Sequence, residues 1–302
     1  MSRNIKLIVT DLDGTFVPDM WNLVPENLKA LKAAKEAGIR VCACTGRHWG
    51  MARTVLEAGE FDPICIASNG AAILHAHTGE YYEKKLIKKE WLLDIVAYLK
   101  QKAANEPNIG ARTLTVRGYG GTPGMDYIRF CDKNVFLNWN EHIVEDVLEH
   151  DVYLLDETYP MTTRLYRREA DWIAAAGDTI ERILFDIGRS EVEDVLELRK
   201  ELSAIAPVEV TSAYGTVIEI THNEATKGNA LKWLCNHYGI PQSQTLAMGD
   251  GLNDMPMVQW AAVGVAVGNA RPALKEVADI VAPNVADGGF AKVVYDCIEG
   301  RI

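Results

Sequence analysis

Long apolar runs are missing from this 302-residue chain, and no stretch reaches the ~18 residues that a membrane-spanning helix needs. Paired cysteines are missing too. Cys42, Cys44, Cys65, Cys131, Cys235 and Cys297 are scattered and form no C-x-x-C pair, which points to reduced, mostly buried thiols. The opening residues "MSRNIKLIVTDLDG" have no signal-peptide pattern, because their apolar run is short and ends in acids. These absences together predict a cytoplasmic protein. Positive charge is in deficit, with 31 basic against 42 acidic residues and a net charge of −11. That balance argues against binding nucleic acid or an anionic membrane through a broad basic face. A small anionic substrate stays open, since a local metal and local basic groups override the global field. No internal repeat or low-complexity linker breaks the chain. What is present is hydrophobic content of 48%, enough for the core of one large domain or two ordinary ones.

The first 87 residues alternate strand and helix. "IKLIVT", "RVCACT" and "PICIAS" read as buried strands, and "PENLKALKAAKEAG" and "WGMARTVLEAG" as the helices between them. Continuous apolar strands separated by helices point to a parallel sheet covered on both faces. "AAILHAHTGEYYEKKLI" alternates around Thr78-Gly79 as a hairpin does. From residue 222 the same grammar returns, ending in the helix "GGFAKVVYDCI". Residues 88–221 differ. Two helices, "KEWLLDIVAYLKQKAANE" and "EVEDVLELRKELSAI", are mixed with shorter alternating strands such as "MDYIRF", "RILFDI" and "TVIEIT". The expected organisation is a discontinuous α/β core, 1–87 and 222–302, with an inserted α+β domain at 88–221 that carries an antiparallel sheet.

In an open parallel sheet the site lies beyond the carboxyl ends of the strands. Polar loops stand there in order: "DLDGT" after the first strand, "TGR" after the second, "SNGA" after the third and "GDGLND" after "TLAM". Lys227 opens a helix at "ATKGNAL". Asp11, Asp13, Asp250 and Asp254 would then share one mouth of the sheet. Two unit charges ~4 Å apart repel by roughly 4 kcal/mol at an effective dielectric near 20, so such a cluster demands a cation. Oxygen ligands without His or Cys select Mg²⁺, which keeps waters and bridges to phosphate. Thr45 and the amides around Gly46 can donate to phosphate oxygens at a helix N-terminus, and Lys227 supplies a point charge of the kind phosphoryl sites use. Asn253 and Asp254 follow Asp250 closely enough to face the same metal from the helix start.

"DLDGT", "TGR", Lys227 and "GDGLNDMPM" resemble, in order, the four motifs of the haloacid dehalogenase (HAD) superfamily, and "SNGA" with the large insertion is similar to its Cof-type phosphatases. The resemblance covers the whole chain and implies a Rossmann-like parallel-sheet core with an inserted α+β cap. It implies that Asp11 attacks phosphorus to form an aspartyl-phosphate and that Asp13 exchanges the proton with the leaving oxygen and the water. It assigns Mg²⁺ to Asp11, the Asp13 backbone carbonyl and Asp250, with Asp254 supporting. Thr45 and Lys227 would hold the phosphoryl oxygens, while Asn253 would orient the loop or Lys227. Asn69 would reach the metal's waters or the phosphate, and Arg47 is divided between substrate contact and a structural pairing. Members that cleave carbon–halogen bonds lack the second aspartate, so Asp13 favours phosphoryl transfer. The expected activity is a Mg²⁺-dependent phosphatase of small phosphorylated metabolites, sugar phosphates first and phosphorylated cofactors second. A phosphomutase and a non-catalytic metal or phosphometabolite-binding protein are the alternatives.

D-x-D-G also opens calcium loops, but the fifth, sixth and twelfth positions here are Thr15, Phe16 and Asn22 in place of an acid, Gly and Glu. His75 and His77 lack a third metal ligand and are expected on an exposed hairpin face. His48 is expected to pack or face solvent. The loop "GYGGTPG" reads as a hairpin connection, and Trp139 and Trp172 are expected to pack the insertion.

Overall fold

The computed structural model describes residues 4–19, 22–105, 114–117, 126–130, 152–156, 162–166, 180–186, 192–214 and 217–302. It divides into two compact units, 1–83 with 225–302, and 84–224. Trp139, Trp172, Cys131 and the loop "GYGGTPG" lie outside the described residues. No helix among the described residues is long and apolar enough to cross a membrane.

The first unit is built on a five-stranded sheet of β1 (Leu7–Thr10), β2 (Arg40–Ala43), β13 (Thr245–Gly249), β14 (Val263–Ala266) and β15 (Ile280–Val281). Their spatial order is β15-β14-β13-β1-β2 and every pair is parallel. β1 is buried along its whole length, which is why it reads as an unbroken apolar run. Helix α1 (Pro25–Glu36) joins β1 to β2. Proline at its start, Glu26 in its first turn and Lys35 in its last suit the helix ends. Helix α2 (Trp49–Ala58) leads to β3 (Ile64–Ala67).

β3 departs from the expectation of a full parallel strand. It touches the main sheet through one parallel bridge, Cys44 with Ile66, and pairs antiparallel with β4 (Ala72–His75). β5 (Tyr81–Lys84) completes this small three-stranded sheet, and β4 and β5 form the expected hairpin, closed by the Glu80 carbonyl on the His75 N–H. His75 serves the turn: its Nδ1 accepts from the N–H groups of His77 and Thr78 at 3.3 and 3.2 Å.

In the second unit a four-stranded antiparallel sheet runs β11-β12-β10-β6, from β6 (Leu114–Arg117), β10 (Arg182–Asp186), β11 (Val208–Tyr214) and β12 (Val217–His222). Helices α3 (Lys89–Asn105) and α4 (Val192–Ser203) contribute Leu92, Ile95, Leu99, Val195, Leu198 and Leu202 to one apolar cluster with Ile183, Ile218 and Ile220 of the sheet. Glu201 ties the helices together, accepting from the Tyr98 hydroxyl and from Lys102 Nζ at 3.0 Å. A further sheet joins β7 (Asp126–Phe130), β9 (Thr162–Tyr166) and β8 (Val152–Asp156). The sequence reading omitted β9, and its pairing with β7 is parallel, so the insertion is not purely antiparallel.

Candidate active site

Register brings the acids together. β1 and β13 are neighbours with Thr10 opposite Met248, so Asp11, one residue on, and Asp250, two residues on, leave adjacent strands at the same end. The Asp11 N–H donates to the Met248 carbonyl at 3.0 Å. β2 lies on the other side of β1 and delivers Thr45 to the same edge. After Asp250 the chain makes a short turn, Leu252–Asp254, and enters α6 (Met255–Trp260). Helix α5 (Lys227–Tyr238) starts at Lys227, with the Thr226 hydroxyl accepting from the Asn229 N–H at 3.1 Å as its cap.

Lys227 is fully buried between two carboxylates. Its Nζ donates to Asp11 Oδ1 at 2.7 Å and to Asp254 Oδ1 at 2.5 Å. Burial alone would discharge this ammonium, but attraction to Asp11 and Asp254 wins and holds its pKa well above that of an ordinary lysine. The other Asp254 oxygen accepts from the N–H groups of Asp250 and Gly251 at 2.9 and 2.8 Å, so both of its oxygens are committed. Asp254 therefore holds Lys227 directly, and Asn253, expected to orient the loop or Lys227, bonds to Asn69 of a neighbouring loop.

Asp11, Asp250 and Asp254 each offer an oxygen within 4.8 Å of the others. Three carboxylates face one ammonium, and the surplus negative charge is felt. Burial pushes the Asp11 carboxyl well above the usual range; Lys227 opposes this, and Asp254, Asp250 and Asp13 add to it. Burial, then Asp254, pushes Asp250 up to about 7. No donor among the described residues holds the Asp250 carboxylate. Lys227 takes only one Asp11 oxygen. An oxygen-only donor set with excess charge and uncommitted oxygens on Asp11 and Asp250 fits a hard divalent cation.

Gly14 is required beside this cluster. Its φ is +76°, and a Cβ would fall on the Asp250 carboxylate. Gly14→Ala is expected to cost roughly 1–3 kcal/mol of stability from backbone strain. Activity should fall by at least tenfold because the acids are displaced, and calorimetry with steady-state kinetics checks both effects.

Asp13 faces elsewhere. Arg47, itself buried, grips its carboxylate with two hydrogen bonds, Nε to Oδ2 at 2.8 Å and Nη2 to Oδ1 at 2.5 Å. The Asp13 side chain remains 44% exposed. Thr45 is buried, its hydroxyl accepts from the Arg47 N–H at 3.0 Å, and Gly46 forms the bend between them. His48 caps α2, its Nδ1 accepting from the Met51 N–H at 3.3 Å. Asn253 donates to Asn69 Oδ1 at 3.0 Å.

Two asparagines passed over in the sequence hold the loop that bears Asp11 and Asp13. Fully buried Asn27 donates to the Phe16 carbonyl at 2.7 Å and accepts from the Ala291 N–H at 3.2 Å. Asn269 donates to the Gly14 carbonyl at 2.7 Å and accepts from the Val285 N–H at 3.0 Å. Phe16 anchors the same loop, edge-on to Phe61 and Phe290 at 4.9 Å. The only advance signal was the position of Asn269 just beyond a buried strand.

A family model described as haloacid dehalogenase-like hydrolase matches residues 8–294. The chain belongs to that family. It is a Cof-type hydrolase with an α/β core, as its motifs implied. Among curated relatives, the putative phosphatase YxeH of Bacillus subtilis is 28% identical, covering 97% of this chain and 98% of that one. The B. subtilis 5-amino-6-(5-phospho-D-ribitylamino)uracil phosphatase YcsE is 26% identical over 96% of this chain and 95% of its own. A solved haloacid dehalogenase-like hydrolase from B. subtilis superimposes with a TM-score of 0.72 at 24% identity, covering 96% of this chain and 99% of that one. That last likeness bears on the fold.

Proposed function

We propose that this hydrolase is a Mg²⁺-dependent phosphatase of small phosphorylated metabolites, working through an aspartyl-phosphate on Asp11. The observation that carries the reading is Lys227 locked between Asp11 and Asp254, with Asp250 completing an oxygen-only cluster. With Oδ1 held by Lys227, Oδ2 of Asp11 attacks phosphorus, the ester P–O bond breaks, and Asp13 gives its proton to the leaving oxygen. Water then attacks the phosphoryl group, Asp13 takes the water's proton, and the Asp11–phosphorus bond breaks to release phosphate. Arg47 fixes the direction of the Asp13 carboxylate during both transfers. Lys227, Thr45 and the Gly46 amide hold the phosphoryl oxygens. Mg²⁺, held by Asp11, Asp250 and the Asp13 main-chain carbonyl with Asp254 behind them, supplies charge neutralisation at the phosphoryl oxygens.

Residues 88–221 are read as a cap that limits access to small substrates and excludes water. Sugar phosphates remain the first candidates. The name of YcsE, a phosphatase of a phosphorylated ribitylamino compound, supports a small phosphorylated molecule. The five described cysteines are free and buried, which fits a reducing, cytoplasmic setting. A panel of phosphorylated metabolites assayed for inorganic phosphate, with and without Mg²⁺, tests the assignment. Isomer formation under a bisphosphate activator would favour a mutase, and silence across the panel a binding protein.

Metal removal has a signed pH dependence. Asp250 titrates near 7 in the metal-free fold against ~4 when unfolded, so its contribution to stability is complete below ~4 and is lost as pH rises through about 7. Mg²⁺ competes with that proton. It should raise the melting temperature by roughly 5 °C at a hundredfold excess over its dissociation constant, and by more at pH 8 than at pH 6. Scanning calorimetry of chelated and Mg²⁺-loaded protein at both pH values measures this, and an equal or larger increment at pH 6 would count against the acids as ligands.

A further inference from the structure

The turn Ser68–Gly70 places three successive residues at positive φ, 49°, 59° and 100°. The first two carry side chains, for which this backbone is unfavourable unless the surroundings enforce it. Here the surroundings are other loops of the site. The Ser68 N–H donates to the Arg47 carbonyl at 2.8 Å and the Asn69 N–H to the Thr45 carbonyl at 3.0 Å. Asn69 Oδ1 accepts from Asn253, in the loop between Asp250 and Asp254. Gly70 lies against the residue that precedes Lys227, where a Cβ would stand 2.6 Å from the Thr226 carbonyl oxygen. Ser68 and Asn69 are both buried.

We propose that Asn69 is a positioning residue. Its left-handed backbone and its amide oxygen key the Thr45 loop to the Asp250–Asp254 loop beside the start of the Lys227 helix, and so align the donors and acids around one phosphoryl group. This goes beyond the expected contact of Asn69 with phosphate or metal water, because its Oδ1 is given to Asn253. It rests on the phosphatase reading. Misplacement of reacting groups by about 1 Å costs on the order of 10²-fold in rate, so a brace that itself touches no reacting atom can matter this much.

Asn69→Gly separates alignment from stability, because glycine accepts the left-handed backbone without strain but cannot hold Asn253. The variant should melt within a few degrees of wild type. With p-nitrophenyl phosphate and Mg²⁺ its kcat should fall about tenfold or more, and inhibition by orthovanadate should weaken by a similar factor. Asn253→Ala should match it, and the double variant should lose no more than either alone. In hydrogen exchange, amides of residues 45–47 and 253–254 should open faster in Asn69→Gly, whatever the substrate. Wild-type kcat and vanadate inhibition in Asn69→Gly, additive losses in the double variant, or unchanged exchange would each overturn the brace. A wild-type protein that turns over no phosphate ester would instead defeat the phosphatase reading, while the exchange comparison would still decide whether Asn69 holds the loops.

Discussion

Asp11→Asn is expected to lower turnover by roughly 10⁴-fold or more while leaving the fold intact, because the attacking oxygen is lost and little else. The Asp11 backbone bond to Met248 does not involve the side chain. Lys227 keeps Asp254 at 2.5 Å and can still donate to the asparagine oxygen. The carboxyl that is removed is one that burial and the neighbouring acids already push towards its neutral form. The metal-free variant should therefore melt no lower than wild type, within a few degrees. Kinetics and melting measured on one preparation check the two halves together: a dead enzyme that is also unfolded would not support the assignment. Asp13→Asn should be slower than wild type in both ester cleavage and hydrolysis of the intermediate, without an equal loss of vanadate binding.

The second large effect is structural as well as catalytic. Lys227→Met should reduce turnover by about 10³-fold and lower the metal-free melting temperature by roughly 10 °C. The stability loss follows from stripping the one ammonium from two buried carboxylates. Breaking a buried pair by removing one partner costs roughly 3–5 kcal/mol, and each kcal/mol moves the melting temperature of a chain this large by about 2–4 °C. The loss should shrink as pH falls, because Asp11, which burial already pushes well above the usual carboxylate range, then takes up a proton and no longer needs the ammonium. Mg²⁺ should restore part of the stability and little of the activity. A variant that melts like wild type without metal would mean that Lys227 does not compensate these acids.

Much of this was legible in the sequence because it is carried by local patterns. β1, β2, β13 and β14 are buried over nearly their full length and read as apolar runs, and the loops that follow them carry the polar residues of the site. Spacing and motif order pointed to Lys227 and four aspartates; Asp11, Asp250 and Asp254 stand together beside Lys227, while Asp13 is gripped by Arg47. What the sequence hid depends on long-range pairing. Asn27 and Asn269 are ordinary asparagines until Phe16 and Gly14, eleven and 255 residues away, present their carbonyls. The grip of Arg47 on Asp13 spans 34 residues, and no local signal separates it from a substrate contact. β9 was missed although Thr and Tyr favour strands, because "TTRLY" is short, has no apolar alternation and runs into Arg167 and Arg168; its pairing with β7 and β8 makes it a strand.

The most direct measurement is a rapid acid quench during turnover, followed by peptide mass spectrometry of the segment "LIVTDLDGT". A phosphoryl adduct on Asp11 that hydroxylamine removes, that requires Mg²⁺ and that is absent from Asp11→Asn is the predicted result. Turnover with no adduct, or an adduct on any other residue, would contradict the account.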